Sequence, residues 1–291
     1  MIMLVTFLEI IWRMSVYKAN ANYHLGTRVI GGVECSIEEN PFTVSLRTSH
    51  KLIHFCGGSL IKPQWVLTAA HCTLEFVNEP EKLTCVVGLS ERQRGKVQAI
   101  TAEEIFIHEY YYYPAIFHDI SLIHLERSAI MFDIVGLIKI PDISSNNPHC
   151  SRGKLCGWGS VRAWDPTQEE KPKVELSVHL RCAEVNIILP DECANITRGR
   201  SNEYILCSLV GEDANDACQG DSGGALYCDN TQLGIIASGK GCGVKNNVAY
   251  YTNLDRYVDY IEKIMSESSA MNIQFHSYIT FLFLHYFIGF I

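Results

Sequence analysis

The sequence predicts an all-β fold built from antiparallel barrels, with one helix close to the C-terminus. Between about residues 29 and 255 the apolar runs are short, and clusters of Gly, Pro, Asn and Asp separate them. Val, Ile, Thr, Tyr and Phe dominate these runs, which is the pattern of strands joined by turns. Strands do not alternate with helices along the chain, and this disfavours a parallel sheet. Many short strands and a single terminal helix indicate antiparallel barrels.

Six apolar runs mark the clearest predicted strands. They are FTVSL (42–46), WVLTAA (65–70), LTCVVGL (83–89), ISLIHL (120–125), KLCGWG (154–159) and LGIIASG (233–239). The predicted helix runs from Asp255 to about Met265, because apolar residues recur there at helical spacing. We interpret that apolar face as ordinary core packing.

The composition excludes several classes of protein. Of the 291 residues, 47% are apolar and 19% are charged, which excludes a largely disordered chain. The net charge of −8 argues against a nucleic-acid-binding protein, which would carry a basic patch or stripe. None of the 12 cysteines is spaced as Cys-x-x-Cys, so zinc ribbons and thioredoxin-type motifs are unsupported. An even, dispersed set of cysteines indicates disulfides and an oxidising compartment.

The two ends of the chain differ from its middle. Residues 2–12 form a short apolar run, and Ala19-Asn20-Ala21 follows, which together are typical of a secretory signal (1–21) cleaved near Ala21. Residues 267–291 end in the apolar run 278–291. Small residues, a spacer and an apolar tail are the parts of a lipid-anchor signal. The alternatives are a short spanning helix, an extension without a function, and a tail that only packs on the domain.

Three short segments carry residues suited to nucleophilic catalysis. They are Thr68-Ala69-Ala70-His71-Cys72, His118-Asp119-Ile120-Ser121-Leu122 and Asp216-Ala217-Cys218-Gln219-Gly220-Asp221-Ser222-Gly223-Gly224. Taken singly, each has an ordinary structural explanation. The order His, Asp, Ser, with cysteines at fixed offsets, makes a chance arrangement very improbable.

With these segments the chain resembles the trypsin-like serine proteases of the chymotrypsin fold, over about residues 29–265. The resemblance implies two six-stranded antiparallel β-barrels and a protease domain spanning 29–266. It assigns His71 as general base, Asp119 as the group that orients and stabilises its ring, and Ser222 as nucleophile. A serine hydroxyl is a weak nucleophile near neutral pH and needs such a base. The resemblance also implies an oxyanion hole made by the N–H groups of Gly220 and Ser222.

The resemblance implies activation by cleavage. Residues 27–32 read Thr-Arg-Val-Ile-Gly-Gly, so cleavage is expected after Arg28, with 22–28 as the activation peptide. The new α-amino group of Val29 would pair with Asp221, since a buried, unpaired carboxylate is costly.

The resemblance also implies a substrate pocket with Asp216 at its floor, which favours Arg or Lys in the substrate. Gly239 would keep the mouth of this pocket open. The sequence departs from the family pattern at three places, with Ala237 and Ser238 where Ser and Trp are usual and Ala249 where a second pocket glycine is usual. The extra methyl group of Ala249 is expected to narrow the pocket.

The family pattern implies four disulfides. They are Cys35–Cys182, Cys56–Cys72, Cys193–Cys207 and Cys218–Cys242. Cys228 is expected to pair with Cys156 or Cys150, and the sequence leaves this choice open. Cys85 and the remaining cysteine lie outside the family core, and they are expected either to pair with each other or to stay free.

The remaining expectations concern modification and partners. Asn195-Ile196-Thr197 is the single Asn-x-Ser/Thr sequon, a weak glycosylation signal at Asn195. The loop after Gly88 lacks the acidic cluster of calcium-binding trypsins, so neither a metal nor a cofactor is expected. Expected partners are protein or peptide substrates and protease inhibitors, with a membrane only if the tail is an anchor.

Besides a secreted endopeptidase, we consider a catalytically weak homologue kept as a binding or regulatory protein. An α/β-type ester hydrolase is disfavoured, because it would need Ser ahead of His in the chain.

Overall fold

Two antiparallel barrels of six strands, followed by a helix, make up the computed structural model. It describes residues 30–89, 97–114, 116–142, 150–188 and 190–268. The predicted signal and activation peptides, and the predicted tail beyond residue 268, lie outside the described residues. The predicted fold class is confirmed.

The first barrel closes in the order β2-β3-β4-β7-β6-β5. Its strands are β2 (Thr43–Thr48), β3 (His54–Lys62), β4 (Trp65–Thr68), β5 (Leu83–Val87), β6 (Gln98–Ile107) and β7 (Ser121–Leu125). Leu46, Leu60, Leu67 and Leu122 are fully buried inside it. Because the barrel is closed, each of these six strands pairs with a neighbour on both sides.

The second barrel consists of six strands in the ring β9-β10-β13-β12-β11-β8, which the β8–β9 pairing closes. The strands are β8 (Arg152–Gly157), β9 (Arg181–Ile188), β10 (Ile205–Leu209), β11 (Ala225–Cys228), β12 (Thr231–Gly239) and β13 (Val248–Asn253). The two-residue strand β1 (Val33–Glu34) adds to the start of β9 on the edge opposite β8.

Short helices interrupt the strands. They are α1 (Ala70–Thr73), α2 (Pro190–Ile196) and the 3-10 turns Leu74–Phe76, Pro80–Lys82 and Leu254–Arg256. The last of these turns leads into α3 (258–268), which agrees with the helix expected from the apolar spacing. Tyr257 and Ile261 pack it against the core of the first barrel. None of the helices among the described residues is both long and apolar enough to cross a bilayer.

The four disulfides implied by the family pattern are formed, namely Cys35–Cys182, Cys56–Cys72, Cys193–Cys207 and Cys218–Cys242. The open choice for Cys228 is resolved in favour of Cys150. Cys156 instead lies against Cys182, next to the Cys35–Cys182 pair. Cys85 is a free thiol buried in the first barrel.

Candidate active site

His71 and Asp119 form a two-point contact on the first barrel. His71 lies on α1, directly after β4, and Asp119 lies two residues before β7. The Asp119 carboxylate accepts one hydrogen bond from His71 Nδ1 (2.7 Å) and another from the His71 backbone N–H (2.9 Å). The Asp119 side chain is buried, whereas the His71 side chain is 24% exposed. This contact fixes the ring and leaves its opposite edge available from solvent.

The Asp119 backbone is held from the second barrel. Thr252 on β13 donates its hydroxyl proton to the Asp119 carbonyl at 2.9 Å. On the other side, the Thr73 hydroxyl of α1 donates to Ser121 Oγ at 2.8 Å. The His71–Asp119 pair therefore lies at the junction of the two barrels and depends on both.

Ser222 lies on a turn clamped between the barrels. Its carbonyl accepts a hydrogen bond from Gly57 N–H of β3 at 2.7 Å, and Cys72, the neighbour of His71, has its sulfur 3.6 Å from the same oxygen. Gly223 N–H donates to Ile236 of β12 at 2.8 Å. These contacts bring the serine turn beside α1, although 150 residues separate Cys72 from Ser222.

Two backbone donors on this turn have no protein acceptor within the described part of the chain, namely the N–H groups of Gly220 and Ser222. The Gln219 carbonyl accepts from Ser160 N–H at 2.7 Å. A trans peptide places its C=O and N–H on opposite sides, so the N–H of Gly220 faces away from Ser160. The turn thus offers two unused donors next to a serine hydroxyl, an arrangement suited to binding an oxyanion.

Gly223 has a positive φ of +82°, and a Cβ built there would meet Thr68 Oγ1 at 2.2 Å and the Gly57 carbonyl at 2.6 Å. We expect Gly223→Ala to destabilise the fold, because the backbone strain of about 1–2 kcal/mol adds to an overlap costing roughly 1–3 kcal/mol. Gly199 is a matched control, since its φ is +78° with nothing within 4 Å. Urea unfolding should show the larger loss for Gly223→Ala; equal losses would contradict the steric argument.

A cavity of about 200 Å³ opens beside Ser222, and the predicted pocket residues Asp216, Gly239 and Ala249 all line it. Asp216 is only 3% exposed. Its Oδ2 accepts the N–H of Gly243 at 2.9 Å, and its Oδ1 has no partner among the described residues. Burial raises the pKa of this carboxyl to about 7, against the opposing effect of the backbone N–H groups of Gly243 and Ala217. Among the described residues, the Asp216 carboxylate in this cavity has no cationic partner.

The departures from the family pattern are visible in the cavity wall. Ala237, Ser238 and Ala249 all line it, and Ala249 lies opposite Gly239 in the β12–β13 register. Ala237 has no hydroxyl to donate to Asp119, and the hydrogen bonds to the Asp119 carboxylate from the described residues are the two from His71.

Asp221 is a second buried carboxyl, 1% exposed. It accepts hydrogen bonds from the N–H groups of Gly159 (2.8 Å) and Cys218 (3.0 Å). Burial raises its pKa to about 6, and these donors only partly compensate. A Cβ at Gly157 or Gly159 would lie 2.2 Å from its oxygens, so only glycine fits there.

Arg28 and Val29 lie outside the described residues. Ile30, the next residue, forms an antiparallel bridge with Asp216, whose N–H donates to the Ile30 carbonyl at 3.1 Å. The segment after the expected cleavage point is thus joined to the floor of the cavity.

Two residues at the site were missed by the sequence analysis. His54 binds the Gly220 carbonyl through Nε2 at 3.0 Å and Ser45 Oγ through Nδ1 at 2.8 Å. Tyr251 lines the cavity and pairs its hydroxyl with Ser208 at 2.9 Å. Both sit in strands that resemble ordinary core segments, and no local spacing marks them.

The sequence model of the Trypsin family matches residues 29–261 of the chain. The chain belongs to the trypsin family. Trypsin I-P1 of Gallus gallus is 31% identical over 248 residues, covering 83% of this chain and 90% of the relative. Anionic trypsin of Canis lupus familiaris is 30% identical over 249 residues, covering 83% and 91%.

A solved trypsin-family structure has the same fold. Neuropsin, a serine protease expressed in the limbic system of mouse brain, superposes with a TM-score of 0.69 at 31% identity, covering 80% of this chain and 98% of neuropsin. With this family, this fold and a hydrogen-bonded His–Asp pair beside a serine turn, the protein is a serine endopeptidase.

Proposed function

We propose that the protein cleaves peptide bonds after Arg or Lys. The observation that carries this proposal is the buried Asp216 carboxylate, whose Oδ1 has no partner within the described residues and which ends the cavity beside Ser222. A guanidinium or ammonium group entering the cavity would supply the missing charge and hydrogen bonds. A Phe or Leu side chain would leave the carboxylate buried and unpaired.

In the proposed reaction Ser222 Oγ attacks the scissile carbonyl. His71 Nε2 takes the serine proton and then donates it to the leaving amine, while Asp119 holds Nδ1–H and stabilises the imidazolium. The hydrogen bond of 2.7 Å between His71 and Asp119 supports this tautomer. The unused N–H groups of Gly220 and Ser222 would bind the oxyanion, and one such donor is typically worth about 3–4 kcal/mol in the transition state.

The test compares peptidyl amides that differ only in the residue before the scissile bond. Arg and Lys substrates should be hydrolysed with a higher kcat/KM than Phe or Leu substrates. Labelling with a fluorophosphonate should stop hydrolysis and modify Ser222, as mapped by mass spectrometry. Preferred cleavage after Phe or Leu would refute the proposed specificity, and modification elsewhere would refute the role of Ser222.

We further propose that the protein is made as a zymogen, cleaved between Arg28 and Val29. The covalent chain keeps Val29 next to Ile30, which is bridged to Asp216 five residues before Asp221. The buried Asp221 carboxyl would gain a cationic partner in the new α-amino group. N-terminal sequencing of the active enzyme should begin at Val29, and full activity of uncleaved protein would overturn this proposal.

Because the pKa of Asp221 is raised, cleavage should change how the stability of the fold depends on pH. In the uncleaved chain this carboxyl keeps its proton up to about pH 6, whereas in the unfolded chain it loses it near pH 4. The folded state then binds more protons, so stability falls as the pH rises from about 4 to 6. Pairing with the Val29 amino group would lower the pKa of Asp221 and remove this fall.

Melting temperatures of cleaved and uncleaved protein between pH 4 and 7 check this prediction. The cleaved protein should have the higher melting temperature, and the difference between the two melting temperatures should widen towards pH 7. Asp216, whose pKa is also raised by burial, acts in the same direction in both forms and cancels in the difference. Asp221→Asn should abolish the gap, and a gap that persists in this variant would contradict the pairing.

The trypsin relatives and the disulfides support secretion as part of this proposal, with a signal peptide at 1–21 and a protease domain at 29–266. Glycosylation at Asn195 remains a prediction. Asn195 is exposed on α2, and the sequon residue Thr197 is buried, with its hydroxyl bound to the Cys193 carbonyl at 2.7 Å. Anchoring by the tail beyond residue 268 also remains a prediction.

A further inference from the structure

Three cysteines meet where β1, β8 and β9 join. Cys182 lies on β9, where one edge pairs with β8 and places Cys156 directly opposite. The other edge pairs Val33 of β1 with Cys182, and the chain continues from β1 to Cys35. The three Sγ atoms lie within 4.8 Å of one another. Cys182 therefore stands between two sulfur partners and can bond only one of them at a time.

The cysteine count leaves one thiol in this cluster under either bonding arrangement. Eight of the 12 cysteines form the four disulfides elsewhere. Cys85 is fully buried on β5, between β2 and β6 of the first barrel, and its thiol is free. The remaining three cysteines share one bond. Cys156 is the spare thiol when Cys35 and Cys182 are bonded, and Cys35 is the spare thiol when Cys156 and Cys182 are bonded.

A buried amide links the spare thiol to the disulfide. Asn40 Oδ1 accepts from Cys156 Sγ at 3.3 Å, and its Nδ2 donates to Cys182 Sγ at 3.4 Å and to the Ser36 carbonyl at 2.9 Å. The Tyr227 hydroxyl also lies 3.4 Å from Cys156 Sγ and donates to Asn40. These contacts hold the Cys156 sulfur and the Cys182 sulfur side by side.

The cluster has one buried side and one open side. Cys156 is only 4% exposed. Cys35 and Cys182 are partly exposed and line a cleft of about 830 Å³. A reagent in the cleft can therefore reach Cys35 while Cys156 remains covered.

We propose that the cluster is an exchanging disulfide, in which Cys156 and Cys35 compete for Cys182. The Cys156 thiolate attacks Cys182 Sγ, the Cys156–Cys182 bond forms and the Cys35–Cys182 bond breaks. The Cys35 sulfur leaves as a thiolate and takes up the proton that Cys156 lost. One disulfide and one thiol are present before and after the step, so no external oxidant or reductant is needed.

Exchange changes how the N-terminal segment of the protease domain is held. The Cys35–Cys182 bond ties residues 30–35 covalently to β9. After exchange the two-residue pairing of β1 remains, together with hydrogen bonds from Arg181 Nη2 to the Gly32 carbonyl (2.6 Å) and from Cys35 N–H to the Leu180 carbonyl (3.1 Å). Exchange also places a free Cys35 thiol in the open cleft, where it becomes a site for modification.

The test maps the bonds directly and does not depend on activity, so its outcome is separable from that of the proposed function. Purified, unreduced protein is incubated with N-ethylmaleimide at pH 7 and pH 8, quenched in acid, and digested without reduction. We expect the label on Cys35 to increase with time, together with a Cys156–Cys182 linked peptide. Because the thiolate is the attacking species, labelling should be about tenfold faster at pH 8 than at pH 7.

Variants make the outcome decisive. Cys156→Ser should abolish labelling of Cys35, whereas the matched control Cys85→Ala, which removes the other spare thiol, should leave it unchanged. In Cys35→Ser the only bond open to Cys182 is that to Cys156, and the linked peptide should be the major species. Equal labelling of Cys35 in wild type and Cys156→Ser, a Cys35 that is never labelled, or a free Cys156 in Cys35→Ser would each overturn the proposal.

Discussion

Ser222→Ala is expected to lower kcat for an Arg-amide substrate by roughly six orders of magnitude, since loss of a protease nucleophile has an effect of that size. The hydroxyl makes no hydrogen bond among the described residues, and the backbone of the turn is held by Gly57. The variant should therefore fold with an unchanged melting temperature. Steady-state kinetics and circular dichroism measure the two quantities.

The control for this prediction is Ser266→Ala, on the exposed side of α3 and remote from the cavity. It should retain wild-type kinetics. If Ser222→Ala hydrolysed the substrate at the wild-type rate, Ser222 would not be the nucleophile. A wild-type enzyme that fails to react with fluorophosphonate after cleavage would instead favour the weak homologue considered in the sequence analysis.

Asp216→Ser is expected to reduce kcat/KM for Arg and Lys substrates by about 30-fold to several thousand-fold. This range corresponds to the roughly 2–5 kcal/mol lost when one partner of a buried charge pair is removed. Hydrolysis after Phe or Leu should fall much less, because those side chains gain nothing from the carboxylate. A peptide library profiled with both enzymes gives the comparison.

Asp213→Ser is the matched control for Asp216→Ser, since Asp213 lies on the same loop but is exposed. It should leave the preference for basic residues unchanged. If Asp216→Ser also leaves it unchanged, the carboxylate is not the pocket floor.

The pKa of Asp216 adds a pH dependence to this prediction. Burial raises the pKa of this carboxyl to about 7 in the free enzyme. A cationic substrate needs the ionised form, so the ratio of kcat/KM for Arg over Leu substrates should rise between pH 6 and 8. A ratio that is flat over this range in wild type would contradict the assignment of the carboxylate.

Six of the barrel strands (β2, β4, β5, β7, β8 and β12) and the terminal helix could be predicted because their signals are local. The run 233–239 falls within β12, and the run 42–46 overlaps β2 except for its first residue. His71, Asp119 and Ser222 could be singled out as candidate catalytic residues because each lies in a distinctive segment. The cavity residues Asp216, Gly239 and Ala249 could be predicted because the family pattern gives their positions relative to Ser222.

The partners of Cys156 and His54 could not be predicted, because they depend on how distant strands pair. Cys156 faces Cys182 through the register of β8 and β9, and one step of slippage would turn it to the opposite face. His54 reaches Gly220 only once the two barrels are docked. No pattern of residue spacing in the sequence predicts either contact.

The hydrogen bonds that join the barrels around the site also set an order of events during synthesis. Thr252 binds the Asp119 carbonyl across 133 positions, and His54 binds Gly220 across 166. At about 5–20 residues per second, a ribosome adds Thr252 roughly 7–27 seconds after Asp119. Contacts between residues this far apart in the sequence are also slow to form, because long loops must close first. A nascent chain therefore carries His71 and Asp119 well before it has the strand whose Thr252 binds the Asp119 carbonyl.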